Sequence, residues 1–107
     1  NMNRYLTIAY VNQANRILGA IYQSPRAGAV SALLLAADAH AASAITQYGL
    51  MNYAGAAGSA KLAYGQVLGA AAQINVQVEP EAWQADYKSK GRSPKYIDTL
   101  DYHRNRP

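Results

Sequence analysis

The stretch Ala27–Ala72 constrains the fold most, because half of its residues are alanine or glycine. Within it only Asp38 and Lys61 carry charge. Alanine is the strongest helix former, and a glycine inside a helix costs only about 1 kcal/mol relative to alanine. Residues 79–107, by contrast, hold eleven of the sixteen charged residues of the chain. The sequence therefore predicts an all-α fold, with a weakly charged helical body at residues 1–73 and a different, polar unit at residues 74–107.

The helical body has few large apolar side chains with which to build a core. At 107 residues the chain has the length of one small domain. Burial of apolar area is worth roughly 25 cal/mol per Å², and alanine offers little of it. The chain has nine tyrosines and no phenylalanine, and tyrosine suits interfaces because its apolar ring ends in a polar hydroxyl. We therefore expect a homo-oligomer, in which helices of other copies supply much of the burial.

Hydrophobic periodicity predicts a first helix over Met2–Gln23. Its apolar residues recur at spacings of three and four, which places them on one helix face. These residues are Leu6, Tyr10, Ala14, Ile17 and Ile21. Ser24 is a good N-cap and Pro25 suits the first helical position, so a second helix is predicted to begin at Pro25.

The second helix is predicted to run to about Tyr48, with Gly49 as its C-cap. A third helix then covers Leu50–Gln73. One continuous rod is the alternative, since no proline lies between Pro25 and Pro80. We favour the break near Gly49.

After the helices the period changes. Ile74–Val78 alternates apolar and polar residues, a pattern typical of a strand. A lone strand exposes backbone donors and acceptors, so pairing with a neighbouring subunit is predicted. Pro80–Lys88 is predicted to form a short helix, and Lys88–Pro107 an extended basic arm. Together, residues 74–107 are predicted to form an arm that binds a neighbouring subunit. The residues assigned to this intersubunit arm are Ile74, Val76, Val78, Tyr96 and Tyr102.

Small residues repeat at a spacing of four in the third predicted helix. Such spacing lets two helix backbones approach closely. The candidate helix-packing residues are Gly55, Ser59, Gly65 and Gly69. The alternative is that any alanine-rich stretch generates this spacing by chance. Gly65 and Gly69 favour the packing interpretation, because each carries a helix-propensity cost that alanine would avoid.

Asp38 and His40 are the ionisable residues of the second predicted helix. They follow Ala27–Ala37, an apolar run too short to cross a bilayer, which takes about 20 residues. In an oligomeric pore either side chain could face a wet lumen. The alternative is an ordinary helix of a water-soluble bundle.

The residue inventory predicts no catalytic site, metal site or cofactor. Asp38 and His40 are two residues apart, so they point to different helix faces. His103 stands alone in the tail, and a metal site needs three or four converging ligands. The chain has no cysteine, which excludes disulfides and thiolate ligands. We therefore predict that the protein is not an enzyme.

The tail combines basic residues and tyrosines, a pattern that can bind single-stranded nucleic acid. Its six basic and five acidic side chains leave a net charge of only +1, which weakens that interpretation. The alternative is an arm that docks on a neighbouring protein. At the other end, the opening Asn1-Met2-Asn3 favours a fragment, a processed product or the ordered part of a longer chain, and it shows no signal-peptide pattern.

Two segments carry a family resemblance: Val11–Arg16, which is rich in amide residues, and Ala54–Tyr64, which is rich in alanine and glycine. Over roughly residues 1–75 the chain resembles the small internal virion (ejection) proteins of short-tailed bacteriophages. The resemblance implies a structural subunit stored in the virion with portal or core proteins, and then contact with the host envelope. It implies part of a ring or channel for genome delivery, and no catalytic residue. The alternatives are a helical subunit of a pilus or secretion assembly, and a nucleic-acid-binding module.

Overall fold

A computed structural model of the chain describes residues 2–78. The described part contains three α-helices in chain order: α1 (Met2–Tyr22), α2 (Ser31–Gly49) and α3 (Tyr53–Gln73). A short 3₁₀ helix, Ala27–Val30, precedes α2. The all-α prediction is thereby confirmed for the described residues. The predicted helix Pro80–Lys88, the arm Lys88–Pro107, and with it Tyr96 and Tyr102, lie outside them.

The second helix begins six residues later than predicted. Ser24 does act as a local cap, but its Oγ accepts a hydrogen bond from the Arg26 amide at 3.1 Å. That bond closes a turn two residues long rather than the first turn of an α-helix. The Ala27–Val30 3₁₀ helix then leads into α2, a frequent arrangement at helix N-termini.

The predicted break near Gly49 is confirmed, and the continuous rod is excluded. The left-handed residue that ends α2 is Met51 (φ 64°), however, and not Gly49. The amides of Met51 and Asn52 bond the carbonyls of Tyr48 at 3.0 Å and Gln47 at 2.9 Å. This pair of bonds is a Schellman motif. The left-handed region costs a non-glycine residue roughly 1–2 kcal/mol, which is why a glycine was expected there. Gly49 correctly indicated that a helix ends nearby, but it is not the residue that takes the left-handed conformation.

The helix α3 ends in the same capping motif as α2. Asn75 (φ 58°) takes the left-handed position, and the Val76 amide bonds the Ala71 carbonyl at 2.9 Å. Ile74 is buried, and Val76 and Val78 pack on the core of their own chain. Residues 74–78 therefore form a turn and an irregular segment in the described structure. Pairing of this segment with a neighbouring subunit stays a prediction.

The helix α3 is the centre of the bundle. It packs along both α1 and α2, whereas α1 and α2 make little contact with each other. The rings of Tyr10 and Tyr64 lie 5.2 Å apart across the α1–α3 interface. One core cluster, around Ile21, Leu34 and Val67, joins all three helices near the start of α2.

The interface between α2 and α3 is built mainly from alanine. Buried residues alternate at spacings of three and four on both helices, as in a coiled coil. They are Leu34, Ala37, Ala41 and Ala44 on α2, and Ala56, Ala60, Ala63, Val67 and Ala70 on α3. Small side chains let two helices approach closely. The alanines thus find partners within one chain, and their number alone does not require other copies.

Candidate functional site

One edge of the α2–α3 interface carries a row of hydrogen bonds, which we call the polar edge. Gln47 Nε2 donates to Ser43 Oγ at 2.9 Å and to Ser59 Oγ at 2.8 Å. His40 Nδ1 lies within hydrogen-bond distance of Gln66 Oε1, at 2.9 Å. Alanine side chains are small and alike, so their packing alone favours no single register of α2 on α3. The hydrogen bonds of the polar edge therefore fix that register.

The polar edge ends at the turn between the two helices. Asn52 Nδ2 donates to Gln47 Oε1 at 3.2 Å, and Asn52 Oδ1 accepts from the Gly55 amide at 3.3 Å. Asn52 is thus the N-cap of α3, and it directly follows Met51, the left-handed residue that ends α2. A Cβ atom on Gly55 would collide with the Gln47 amide oxygen and lie 2.6 Å from Asn52 Nδ2.

The four candidate helix-packing residues divide into two pairs. Gly55 and Ser59 lie at the α2–α3 interface and touch the polar edge. A Cβ atom on Gly65 or Gly69 would meet nothing within 4 Å. Within the described chain these two glycines therefore make no close helix contact. Their role in packing against another chain stays a prediction.

Gly65 and Gly55 are predicted to respond differently to substitution by alanine. Gly65→Ala is expected to stabilise the chain by about 0.5–1 kcal/mol, because an exposed helix gains propensity without a clash. Gly55→Ala should give no such gain, since the new Cβ displaces Gln47 and Asn52 and removes a cap worth roughly 1 kcal/mol. Urea unfolding followed by circular dichroism measures both. Equal stabilisation by the two variants would contradict the geometry of the polar edge.

Asp38 and His40 do not form a pair in the structure. His40 is partly buried against Gln66 of α3. Asp38 is partly exposed at the rim of a separate groove, about 280 Å³ in volume, between the end of α1 and the start of α2. The prediction that either residue faces the lumen of an assembly stays a prediction. Among residues 2–78 no three potential metal-ligating side chains cluster together.

A contact that sequence reasoning missed joins the start of α1 to the α2–α3 turn. Arg4 Nε donates to the Tyr48 hydroxyl at 3.2 Å, and its guanidinium carbon lies 6.0 Å from the Tyr53 ring centre. The two tyrosine rings stand edge to face at 5.4 Å. The hydrogen bond to Tyr48 raises the pKa of Arg4, so the cation persists at any pH of interest. No local signal marks a contact 44 residues apart.

A second cleft, of about 450 Å³, lies beside α1 and opens at Val78, the last described residue. Its polar lining comes from Gln13, Arg16 and Gln77. Gln13 is almost fully buried, and its amide oxygen accepts from Arg16 at 3.1 Å. The cleft thus offers a guanidinium and two amides, and no nucleophile or general base among the described lining residues.

Ala27–Gly49 is the one segment of residues 2–78 that is long and apolar enough to cross a membrane. Only 33% of its most apolar window is buried inside the bundle. The core helix of a soluble protein passes the same test of length and composition. The segment is therefore compatible, in length and composition, with either a membrane span or a core helix.

Comparison of the chain with protein-family models, with curated proteins and with solved structures finds no match.

Proposed function

We propose that this chain is a structural subunit of a viral assembly, an internal virion protein that forms part of a ring or channel for genome delivery. The observation that supports the proposal best is the outer face of α2. Its exposed residues repeat at spacings of three and four and carry no charge: Ala32, Leu35, Ala39, Ala42 and Thr46. A surface helix of a globular protein normally turns charged residues outward. A helix with an uncharged outer face is suited to lie against another surface.

The way in which α2 and α3 are held together also supports this use. Their interface combines small side chains with the hydrogen bonds of the polar edge. Such contacts depend on close approach and on polar pairing, and they persist where water is scarce. A protein stored in a packed virion and then moved to an envelope would need a fold that tolerates both settings.

The chemistry of the described residues agrees with a structural role. The α2–α3 hairpin presents one carboxylate, Asp38, and one amine, Lys61, over its whole length. The imidazole of His40 is engaged with Gln66. These groups lie apart, and catalysis by a nucleophile and a base requires them within hydrogen-bond reach of each other. The proposal therefore assigns the protein a role in assembly and none in bond making or breaking.

The proposal is tested on the full chain by sedimentation over a range of concentrations, electron microscopy and dye-loaded lipid vesicles. We expect a closed oligomer, and release of dye when the protein is added to vesicles. Open filaments without dye release would instead favour a pilus or secretion subunit. A chain that remains monomeric at every concentration and leaves vesicles intact would rule out the proposed function.

A further inference from the structure

The turn between α2 and α3 exposes two adjacent large apolar side chains, which we call the apolar tip. Leu50 and Met51 are each 75% exposed, more than any other large apolar residue among residues 2–78. Single exposed apolar residues are common on protein surfaces, but two side by side at the end of a hairpin form one protruding apolar surface. Such a surface is typical of a site that contacts a membrane or another molecule.

The backbone holds the apolar tip in a fixed shape. The Leu50 amide donates to the Thr46 carbonyl at 3.1 Å, and the Met51 amide donates to the Tyr48 carbonyl at 3.0 Å. Met51 has φ 64°, a conformation that residues with a Cβ seldom adopt. Strained residues of this kind concentrate at functional sites. A glycine at position 51 would avoid the strain, so the strain is a cost of placing an apolar side chain at the tip.

Two tyrosines and an arginine stand directly behind the apolar tip. Tyr48 and Tyr53 flank it, each two residues away along the chain. Both side chains are partly buried, and their rings lie edge to face with centres 5.4 Å apart. Arg4 Nε donates to the Tyr48 hydroxyl, which uses one of the five N–H donors of the guanidinium. The remaining donors suit a phosphate group, which arginine binds through two parallel hydrogen bonds.

The charge at this end of the described bundle is positive. The sole carboxylate side chain among residues 2–78 is Asp38, which lies roughly 18 Å from the tip when measured along α2. Exposed charges so far apart are largely screened, since the Debye length is about 8 Å at physiological ionic strength. The apolar tip therefore adjoins a cation whose charge no described carboxylate neutralises.

We propose that the apolar tip binds an anionic lipid surface. Leu50 and Met51 enter the boundary between headgroups and acyl chains. The two tyrosine rings then lie at the level of the headgroups, where aromatic side chains of membrane proteins concentrate, and the Arg4 guanidinium binds a lipid phosphate. A protein partner needs no such order of apolar, aromatic and cationic groups, so the arrangement favours a bilayer.

The inference deepens the proposed function, on which it rests, because it names the surface of the chain that contacts the host envelope. In a closed ring with rotational symmetry every copy presents its apolar tip on the same side. Contacts that are weak for one copy then act together, and the ring binds more tightly than a single chain.

A fluorophore attached at the tip tests its position directly. The chain has no cysteine, so Leu50→Cys gives a single site for the environment-sensitive dye nitrobenzoxadiazole. Its emission is expected to shift to shorter wavelength when vesicles of phosphatidylcholine and phosphatidylglycerol are added. Leu62→Cys, on α3 at a position 55% exposed, is the matched control and should show no shift. Equal shifts at the two positions would contradict the inference, as would a bound chain without a shift at position 50.

Substitutions separate the apolar contribution from the charge. Leu50→Gln and Met51→Gln are each expected to weaken binding of the full chain to these vesicles by about tenfold, whereas Leu62→Gln leaves it unchanged. Arg4→Gln should weaken binding by about fivefold, and Arg4→Lys should retain it. On vesicles of phosphatidylcholine alone, Arg4→Gln should have no effect. Vesicle flotation measures binding, and circular dichroism shows that every variant is folded.

The inference is overturned if the glutamine variants at the tip bind vesicles as tightly as the unaltered chain does. It also fails if those variants lose self-association when sedimented without vesicles, because the apolar tip would then contact another copy. An unaltered chain that assembles and binds vesicles while the tip variants behave alike removes this contact alone. An unaltered chain that stays monomeric and leaves vesicles intact removes the proposed function with it.

Discussion

Ile21→Ala is expected to lower the free energy of unfolding by about 2–5 kcal/mol. Ile21 is fully buried and belongs to the core cluster that α1, α2 and α3 share. Truncation removes three carbons and leaves a cavity that the neighbouring helices cannot fill without moving. Small domains have only about 5–15 kcal/mol of stability, so a large part of the total would be lost. Urea denaturation followed by circular dichroism gives the value.

Leu50→Ala is the matched control for this change. Leu50 is 75% exposed in the turn between α2 and α3, and exposed substitutions usually alter stability by less than about 0.5 kcal/mol. A similar loss from both variants would mean that the two side chains are equally covered in solution. That result would contradict the arrangement of the bundle described here.

Ala60→Leu is expected to destabilise the chain by about 1–3 kcal/mol, although it adds apolar surface to a core position. Ala60 is fully buried in a cluster with Ala44 of α2, which is also fully buried, and with Ile8 and Val11 of α1. Leucine and alanine differ little in helix propensity, so the change in stability reflects the room available around residue 60. A side chain three carbons larger must separate the helices and stretch the polar edge between Gln47 and Ser59. Thermal melting monitored at 222 nm, a wavelength commonly used for helices, detects the loss as a fall of roughly 4–8 °C per kcal/mol.

Ala42→Leu controls for the added bulk. Ala42 lies exposed on the outer face of α2, so a leucine there should change the melting temperature little when the protein is dilute. If Ala60→Leu were instead stabilising, there would be free volume between α2 and α3, and the close approach of the two helices would be refuted.

The helices could be predicted from the sequence because their signals are local. The spacing of Ala14, Ile17 and Ile21 marked the buried face of α1, and the structure buries all three. The ends of α2 were harder. Ser24 and Gly49 are favourable capping residues, yet the chain caps a turn with the first and uses Met51 as the left-handed residue. Capping preferences of about 1 kcal/mol are easily overridden by the geometry of the whole bundle.

The packing of the alanines could not be predicted from the sequence. Periodicity shows which face of a helix is apolar, and it does not show how close the next helix comes. The number of alanines suggested burial by other copies, whereas Ala44, Ala56 and Ala60 are fully buried within one chain. The contact of Arg4 with Tyr48 is equally invisible, because it joins residues 44 positions apart. The same limit applies to the groove beside Asp38, which forms only where the end of α1 meets the start of α2.

The central place of α3 makes the bundle respond differently to force at its two ends. Pulled from the N-terminus, α1 can peel away and leave the α2–α3 hairpin with its alanine interface and polar edge intact. Pulled from the C-terminus, α3 leaves first, and α1 and α2, which make little contact with each other, lose their shared partner at once. A chain threaded tail first through a narrow opening would therefore unfold in one step, and one threaded head first would keep two of its three described helices until late in the passage.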